Sequence, residues 1–326
     1  MILFISNFDM SKFYIFISDF LIIPIIVFFL NIYIDFRHEN SEFVNQFSSK
    51  LCIYDLTQNI NIPERVIVKK RIQECQINEN IIMGSSRSLI LGKSLNMIGF
   101  SNISVSGAVI QDYENLIDLV TFDGEKIYLE ISPWLFNSQN IDERYLEFEN
   151  KLNLSKLKRY LNLDYLFENL TYPKFNVLDY KSQDKFIRYV DGSIKYSLNN
   201  INKKREKMRN SSLEEKLRNS MIRLDNFEKV TNNRKKRIVK FFEKIEKKFK
   251  KIYLIKYPYM PLVYNDLIEK RPVLKDISNL IDSIAKQKNF RIIGSFNPKK
   301  FKINNEDFLD EIHLNENGLK KLFENY

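Results

Sequence analysis

The stretch NENIIMGSSRSLILGKSL, residues 78–95, raises two very different hypotheses about the fold and its site. Three apolar residues, 81–83, form a predicted strand, and the corner Gly84-Ser85-Ser86 follows it directly. A corner of small residues at the end of a strand is typical of two kinds of site. One is a loop that binds phosphate, and the other is a turn that presents a nucleophilic serine.

The phosphate-loop hypothesis fails on spacing. Gly92-Lys93-Ser94 matches the end of the G-x-x-x-x-G-K-S/T pattern, but that pattern requires a glycine where this chain has Arg87. Gly92 also lies too far beyond the strand, because in this pattern the loop follows the strand directly. We therefore assign Gly92-Lys93-Ser94 to a predicted helix over residues 87–97. The serine hypothesis then depends on partners elsewhere in the chain.

The composition is that of a folded protein with an anionic partner. The chain has 326 residues, of which 44% are hydrophobic and 13% aromatic, enough for one large domain or two modest ones. A net charge of +10 suits nucleic acid, lipid headgroups or an acidic glycan, without choosing among them. The two cysteines form no C-x-x-C pair, which argues against a zinc site.

Residues 13–36 are predicted to form an uncleaved transmembrane anchor. The segment is nearly all apolar, with Asp19 the only charge before Asp35, and it is long enough to cross a hydrocarbon core of about 30 Å. A cleaved signal peptide fits less well because no small-x-small cleavage site follows. A buried core helix is the other alternative. The flanking charges favour residues 1–12 inside and the remainder of the chain outside the cell.

Residues 37–76 are predicted to form a stalk that packs back on the main domain. The segment is mixed and polar, and it contains both Cys52 and Cys75. A disulfide would be expected in an oxidising compartment, and two free thiols in a reducing one. The sequence leaves both alternatives open.

Residues 77–326 are predicted to form an α/β domain. Strand-like and helical segments alternate, which favours a three-layer α/β/α fold with a parallel sheet. An insertion over about 185–250 interrupts this alternation. It begins with a hairpin that turns at Asp191-Gly192. The predicted strands and helices outside the insertion lie near residues 81–83, 101–108, 111–122, 126–132, 251–256, 275–288 and 290–296.

The insertion ends in a lysine-rich helical segment around residues 234–252. Its apolar residues recur at three- and four-residue steps, and lysines and arginines fill the remaining faces. A surface helix with one packed stripe and solvated lysines is the interpretation we favour. A basic face that binds a polyanion is the alternative, and as a nucleic-acid site it would require a cytoplasmic domain.

A candidate general base lies near the C-terminus. Of the two histidines, His38 adjoins the predicted anchor, which leaves His313 for the folded domain. Asp310 precedes His313 by three residues, so the two can share one face of a helical turn. A carboxylate there can accept the Nδ1 proton and leave Nε2 free as a base.

The serine corner and a later glycine end neighbouring predicted strands. Sites in parallel α/β sheets form beyond the carboxyl ends of the strands, where Gly84-Ser85-Ser86 and Gly107 are predicted to lie. A serine nucleophile needs a general base and backbone N–H donors that face the developing oxyanion. Gly107 suits the second role because a residue without a side chain allows close approach to its N–H.

These residues resemble the motifs of the SGNH (GDSL-type) hydrolase superfamily. Gly84-Ser85-Ser86 is similar to its first block, Gly-Asp-Ser, and Gly107 to its second-block glycine, while Asp310 and His313 match its final Asp-x-x-His. Residues 77–326 also resemble membrane-anchored SGNH-like proteins of bacterial surface-glycan loci, which often accompany membrane-bound O-acyltransferases. The segments that carry this second resemblance are GSSRS, SVSGA, ISPWLFN, YVDGSIKY, GSFNP and DFLDEIHLNENGLKKLF.

The resemblance implies a flavodoxin-like fold and a catalytic triad. Ser86 would be the nucleophile, His313 its base, and Asp310 the residue that orients His313. The N–H groups of Ser86 and Gly107 would hold the oxyanion. The family's third block, Gly-x-Asn-Asp, is absent here, and Asn137 is a candidate substitute for its asparagine although the spacing differs.

Two further expectations concern ligands and function. Arg87 is a candidate for holding an anionic group of the substrate, with pairing to a core carboxylate as the alternative. The resemblance implies a serine esterase or O-acetyltransferase that acts on a cell-surface polysaccharide or lipid-linked glycan, without metal, cofactor or nucleic acid. It would be a single-pass protein of the bacterial cell membrane with an extracytoplasmic domain. The alternative is a catalytically silent scaffold that partners a membrane-bound O-acyltransferase.

Overall fold

The computed structural model describes residues 22–34, 42–59, 64–140, 142–148, 157–158, 160–164, 166–167 and 185–324. The chain divides into two compact units. The first comprises residues 1–46 and 149–178, and the second comprises residues 47–148 and 179–326. Each unit is described by itself.

The first unit contains the described part of the predicted anchor. Residues 22–34 are helical, and the rest of the 13–36 segment lies outside the described residues. Asn31 is fully buried and donates through Nδ2 to the carbonyls of Tyr160, at 2.9 Å, and Asn162, at 3.2 Å. Within the described ranges, no helix combines the length and apolar character that crossing a membrane requires.

The second unit is an α/β structure. Its described strands are β1 (Leu56–Asn59), β2 (Asn80–Met83), β3 (Phe100–Asn102), β4 (Gly124–Glu130), β5 (Lys185–Arg188), β6 (Ile194–Tyr196), β7 (Phe249–Lys256) and β8 (Arg291–Gly294). Its described α-helices are α1 (Glu42–Leu51, which begins in the first unit), α2 (Glu64–Glu74), α3 (Ile110–Leu119), α4 (Leu198–Asn210), α5 (Leu213–Ser220), α6 (Asn232–Lys248), α7 (Pro261–Lys270), α8 (Val273–Lys288) and α9 (Glu316–Phe323).

A parallel sheet forms the centre of this unit. In the described chain its order is β3-β2-β4-β7-β8, and every neighbouring pair is parallel. Parallel sheets are covered on both faces, so their strands are nearly continuous apolar runs. Ile81, Ile82 and Met83 of β2 accordingly have no exposed surface. The predicted α/β class and parallel sheet are confirmed.

Aromatic contacts attach the helices to the sheet and to one another. Tyr128 of β4 and Tyr253 of β7 stack with ring centroids 4.6 Å apart, and Phe323 of α9 lies 6.3 Å from Tyr128. Tyr113 of α3 meets Phe241 of α6 edge to face at 5.9 Å. These contacts are consistent with helices layered on the sheet. The lysine-rich helix α6 buries one apolar stripe, as predicted, formed by Ile238, Phe241, Phe242 and Ile245. The predicted helical segment over residues 234–252 is too long, because the helix ends at Lys248 and Phe249 begins β7.

The predicted helix over residues 87–97 is wrong. Residues 86–90 form turns, and only Lys93–Leu95 are helical, as a short 3₁₀ turn. Asn102, at the end of β3, donates through Nδ2 to the carbonyls of Ser88 and Leu91, both at 2.7 Å. A helix needs those carbonyls for its own hydrogen bonds. Gly92 has a φ of 129°, which also ends any helical path.

The predicted helical turn at Asp310 and His313 is also absent. The segment is a bend closed by an isolated bridge between Phe308 and Leu314. The Leu309 N–H donates to the His313 carbonyl at 2.8 Å, which brings the chain back on itself. This loop places Asp310 beside His313 as the helical turn was expected to do.

A second, antiparallel sheet joins the hairpin to the predicted stalk. Its order is β1-β5-β6, and β5 and β6 form the hairpin that was predicted around Asp191-Gly192. Gly192 has a φ of 89° and an added Cβ would lie 2.1 Å from the Asn102 carbonyl oxygen, so the turn requires glycine. The stalk segment from residue 47 onward belongs to the same compact unit.

Cys52 and Cys75 form a disulfide, one of the two alternatives that the sequence left open. The bond closes a loop with a sequence separation of 23 residues. We expect the double variant Cys52→Ser/Cys75→Ser to lose about 3 kcal/mol of unfolding free energy, because the unfolded chain gains loop entropy. Urea denaturation measures this loss. Dithiothreitol should destabilise the wild-type chain but not the variant, and equal stability of the two chains would contradict the prediction.

Candidate active site

The site lies at the carboxyl edge of the parallel sheet. The chain passes from β2 outward to β3 and then crosses back past β2 to reach β4. Such a reversal of strand order opens a crevice beyond the strand ends, and ligands bind there in open α/β sheets. The Gly84–Ser88 turn follows β2, and Ser132 lies just after β4.

Three predicted side chains form one chain of hydrogen bonds there. The Ser86 Oγ lies 2.8 Å from His313 Nε2. The His313 Nδ1 lies 2.7 Å from Asp310 Oδ1 and 2.9 Å from Oδ2. This is the geometry in which a histidine accepts a serine proton while a carboxylate fixes its ring. The structure therefore brings together Ser86, His313 and Asp310 across a separation of more than two hundred residues.

Asp310 is held as a carboxylate. It accepts the backbone N–H groups of His313, at 2.9 Å, and Ile312, at 3.2 Å, and the Lys204 ammonium at 2.8 Å. Burial raises the pKa of Asp310, but His313 and Lys204 outweigh burial and lower that pKa far below its usual range. The Asp310 side chain can therefore orient His313 as an anion at any physiological pH.

Lys204 is a site residue that sequence reasoning missed. Its Nζ contacts Asp310 and lies 5.1 Å from the centroid of the Tyr196 ring. Burial lowers the pKa of Lys204, but the charge and hydrogen bond of Asp310, together with Tyr196 and Glu311, outweigh burial, so the net shift is upward. The lysine comes from α4 in the insertion, and one lysine among many gives no signal of its position in sequence.

Glu130 organises the turn that carries Ser86, and sequence reasoning missed this residue too. Its carboxylate is fully buried and accepts the Ser85 N–H at 2.7 Å and the Ser85 hydroxyl at 2.6 Å. It also accepts the Ser88 hydroxyl at 2.8 Å, Arg87 Nε at 3.0 Å and the Ser132 hydroxyl. Burial raises the pKa of Glu130, but Arg87 and the hydroxyl donors outweigh burial and lower it. An acidic residue in the apolar run KIYLEIS was the available signal.

Gly84 is required by the same carboxylate. A Cβ at this position would lie 2.4 Å from Ser88 Oγ and 2.7 Å from Glu130 Oε2. Both atoms are fixed by their mutual hydrogen bond, so neither can move aside cheaply. The small-residue corner in the sequence therefore reflects close packing of the turn onto Glu130.

Arg87 pairs with a core carboxylate, the second of its two predicted roles. Its side chain is 1% exposed, and its guanidinium contacts Glu130 at 3.0 Å and Ser132 Oγ at 2.5 Å. The rings of Trp134, at 4.6 Å, and Tyr257, at 5.3 Å, lie against the same group. Among the described residues, Nη1 has no partner. Binding of a substrate anion by Arg87 stays a prediction.

The backbone donors predicted for the oxyanion are free within the described part of the chain. The N–H groups of Ser86 and Gly107 donate no hydrogen bond to another described residue. Gly107 has a φ of 60°, and its carbonyl accepts Arg223 Nη1 at 2.5 Å, which fixes the peptide. An added Cβ would lie 2.5 Å from Arg223 Nη2. The role of the Ser86 and Gly107 N–H groups as oxyanion donors stays a prediction.

Asn137 is held by neighbours of its own. The side chain is buried, donates through Nδ2 to the Arg223 carbonyl at 3.0 Å and accepts the Gln139 N–H at 3.0 Å. These bonds fix the loop after β4 and use one of the two N–H donors of the amide. A role of Asn137 as third oxyanion donor stays a prediction.

Comparisons with known proteins add no identity. No protein-family model matches the chain. No curated protein matches it either. The function must therefore be inferred from the geometry of the site itself.

Proposed function

We propose that this chain is a serine esterase or O-acetyltransferase of SGNH type that acts on a cell-surface glycan. The observation that carries the proposal is the unbroken series of hydrogen bonds from Asp310 through His313 to Ser86. The series begins at the carboxyl edge of β2, where a parallel sheet places its ligands. A structural serine has no need of a histidine whose other nitrogen is held by a partly buried carboxylate.

The proposed reaction proceeds through an acyl-serine. Ser86 Oγ forms a bond to the acyl carbonyl carbon while its proton passes to His313 Nε2. The tetrahedral intermediate then expels the leaving alcohol, which takes the proton from His313. Water in an esterase, or a sugar hydroxyl in a transferase, then attacks the carbonyl carbon of the acyl-serine and gives its proton to His313. The second tetrahedral intermediate breaks its bond to Ser86 Oγ, which takes the proton back from His313, and the free acid or the acylated sugar leaves. The N–H groups of Ser86 and Gly107 would stabilise the oxyanion in both steps.

The fold and the setting support this assignment. The strand order β3-β2-β4-β7-β8 is the flavodoxin-like order 2-1-3-4-5, which the three-layer SGNH architecture would share. The disulfide between Cys52 and Cys75 suits an oxidising, extracytoplasmic compartment. The helix over residues 22–34 exposes large apolar side chains, which suits a membrane anchor and a single-pass protein of the bacterial cell membrane.

One observation favours the second candidate function. The family's third block is absent from the sequence, and Asn137, the candidate substitute, lies at a different spacing and already donates one amide N–H to the Arg223 carbonyl. A chain without it could serve as a silent scaffold that partners a membrane-bound O-acyltransferase. The two functions differ in whether Ser86 becomes acylated.

Covalent labelling tests the proposal. We expect the full-length chain treated with a fluorophosphonate to gain the mass of one adduct, which peptide mapping places on Ser86. Ser86→Ala should show no adduct. His313→Ala should label far more slowly, because the base that activates Ser86 is lost. Absence of labelling in a folded wild-type chain would favour the scaffold.

A further inference from the structure

An apolar groove lies beside the catalytic segment. It has a volume of about 740 Å³, within the usual range for small-molecule sites. Apolar side chains of the hairpin and α4 line much of it. Leu198 is 79% exposed and Ile187 is 40% exposed, an unfavourable arrangement for a surface that stays in water. The apolar side chains that line the groove are Ile90, Phe186, Ile187, Leu198, Ile201 and Leu309.

A polar, cationic cavity continues from this groove. It has a volume of about 890 Å³ and shares Arg205, Asn315 and Asn317 with the apolar groove. Its cations are Arg205, Arg209, Lys320 and Lys321. Three of them, all except Lys321, make no ion pair within the described part of the chain.

Acidic groups balance only part of this charge. Lys321 pairs with Asp307 at 2.6 Å, and Glu306 also lines the cationic cavity. Glu316 lines the apolar groove, where Lys195 supplies a further cation. The two connected cavities therefore hold more cationic than anionic side chains, and Arg205, Arg209 and Lys320 make no ion pair with a described residue.

The two cavities border the catalytic triad. Leu309 of the groove and Phe308 of the cationic cavity immediately precede Asp310. Lys204, which binds Asp310, lies on α4 between Ile201 and Arg205. A ligand in these cavities would therefore lie along the Asp310 side of the site.

We propose that the connected cavities bind a lipid phosphate. Its hydrocarbon chain would occupy the apolar groove, and its phosphate would contact Arg205 and Arg209 at the cationic end. An apolar trough that opens into unpaired cations complements an amphiphile with one anionic group, and it fits a sugar or a free phosphate less well. The inference rests on the proposed function in one respect: if the chain is the proposed enzyme, its substrate class is a glycan linked to a lipid phosphate. The binding site itself needs no catalysis.

Binding of geranyl phosphate to the full-length chain tests the inference. Isothermal titration calorimetry below the critical micelle concentration compares it with geraniol and with inorganic phosphate. We expect geranyl phosphate to bind at least about tenfold more tightly than either comparator, because only it fills both cavities. The Ser86→Ala variant should bind equally well, so failure of the serine chemistry and failure of this site are distinguishable.

Matched variants locate the binding. Leu198→Asp and Arg205→Glu should each weaken binding by about tenfold, through the chain and the phosphate respectively. Ile98→Asp and Arg218→Glu place the same charges at exposed positions outside both cavities and should bind like wild type. Equal affinity for geraniol, or equal losses in cavity and control variants, would overturn the inference. So would the absence of binding.

Discussion

His313→Ala is expected to lower the turnover of p-nitrophenyl acetate by about 10⁴-fold or more, with the fold intact. His313 Nε2 is 2.8 Å from Ser86 Oγ and is the only base within hydrogen-bond reach of it among the described residues. Without it the serine must lose its proton to water. Initial rates at pH 8 with saturating ester measure the effect, and thermal unfolding of the same samples verifies folding.

The loss of turnover in His313→Ala should not add to the loss in Ser86→Ala. Residues that act as one unit lose most of their effect when either is removed. The double variant Ser86→Ala/His313→Ala should therefore be no slower than either single variant. The fold should tolerate His313→Ala because Lys204 still neutralises Asp310, at 2.8 Å. Wild-type turnover in either single variant would reject the catalytic assignment, and additive losses would reject a shared mechanism.

Much of the fold follows from local sequence patterns. The strand Asn80–Met83 is a short apolar run bounded by turns. The hairpin of β5 and β6 is predicted by the dipeptide Asp191-Gly192 at its turn. The triad could be predicted from the sequence for a chemical reason. The chain has only two histidines, so a serine that needs a base has almost no choice of partner.

The rest depends on contacts distant in sequence. The segment after Ser86 has helical spacing, but Asn102 binds its carbonyls and Glu130 binds its side chains. Those competing partners come from two other strands, so no local pattern reveals them. The predicted helical turn at Asp310 failed for a similar reason, because the Phe308–Leu314 bridge shapes that loop.

Glu130→Gln is expected to lower the free energy of unfolding by about 3–5 kcal/mol, because it leaves a buried guanidinium without its counter-charge. The Glu130 carboxylate has no exposed surface and accepts donors from Ser85, Arg87 and Ser88. A glutamine at this position would turn an N–H₂ group toward at least one of those donors. Urea denaturation at pH 7 measures the loss.

The sign of the pH dependence follows from the depressed pKa of Glu130. A carboxylate with a folded-state pKa below its unfolded value stabilises the fold above the unfolded pKa. That stabilisation is lost as the pH falls through the folded-state pKa. The stability of wild type should therefore fall more between pH 7 and pH 3 than that of Glu130→Gln. Equal pH dependence would mean that the pKa of Glu130 does not differ between the folded and unfolded states, and a smaller fall for wild type would mean that folding raises that pKa.

A second substitution separates the charge effect from the positioning of Ser86. Arg87 lies between Trp134 and Tyr257, so a methionine can replace it there. The double variant Arg87→Met/Glu130→Gln should recover much of the lost stability, since no unpaired charge remains. It should not recover turnover, because the Ser85 and Ser88 hydroxyls still lack the carboxylate that fixes the turn.

Asp282→Asn supplies the matched control for this separation. It removes the counter-charge of the buried Lys256, 2.6 Å away, without touching the turn that carries Ser86. We expect this variant to lose stability and to keep its turnover when measured at a temperature where it is folded. If Asp282→Asn and the double variant lost turnover alike, the effect of Glu130 would be general destabilisation. A loss confined to the Glu130 variants would establish that the buried carboxylate positions the nucleophile.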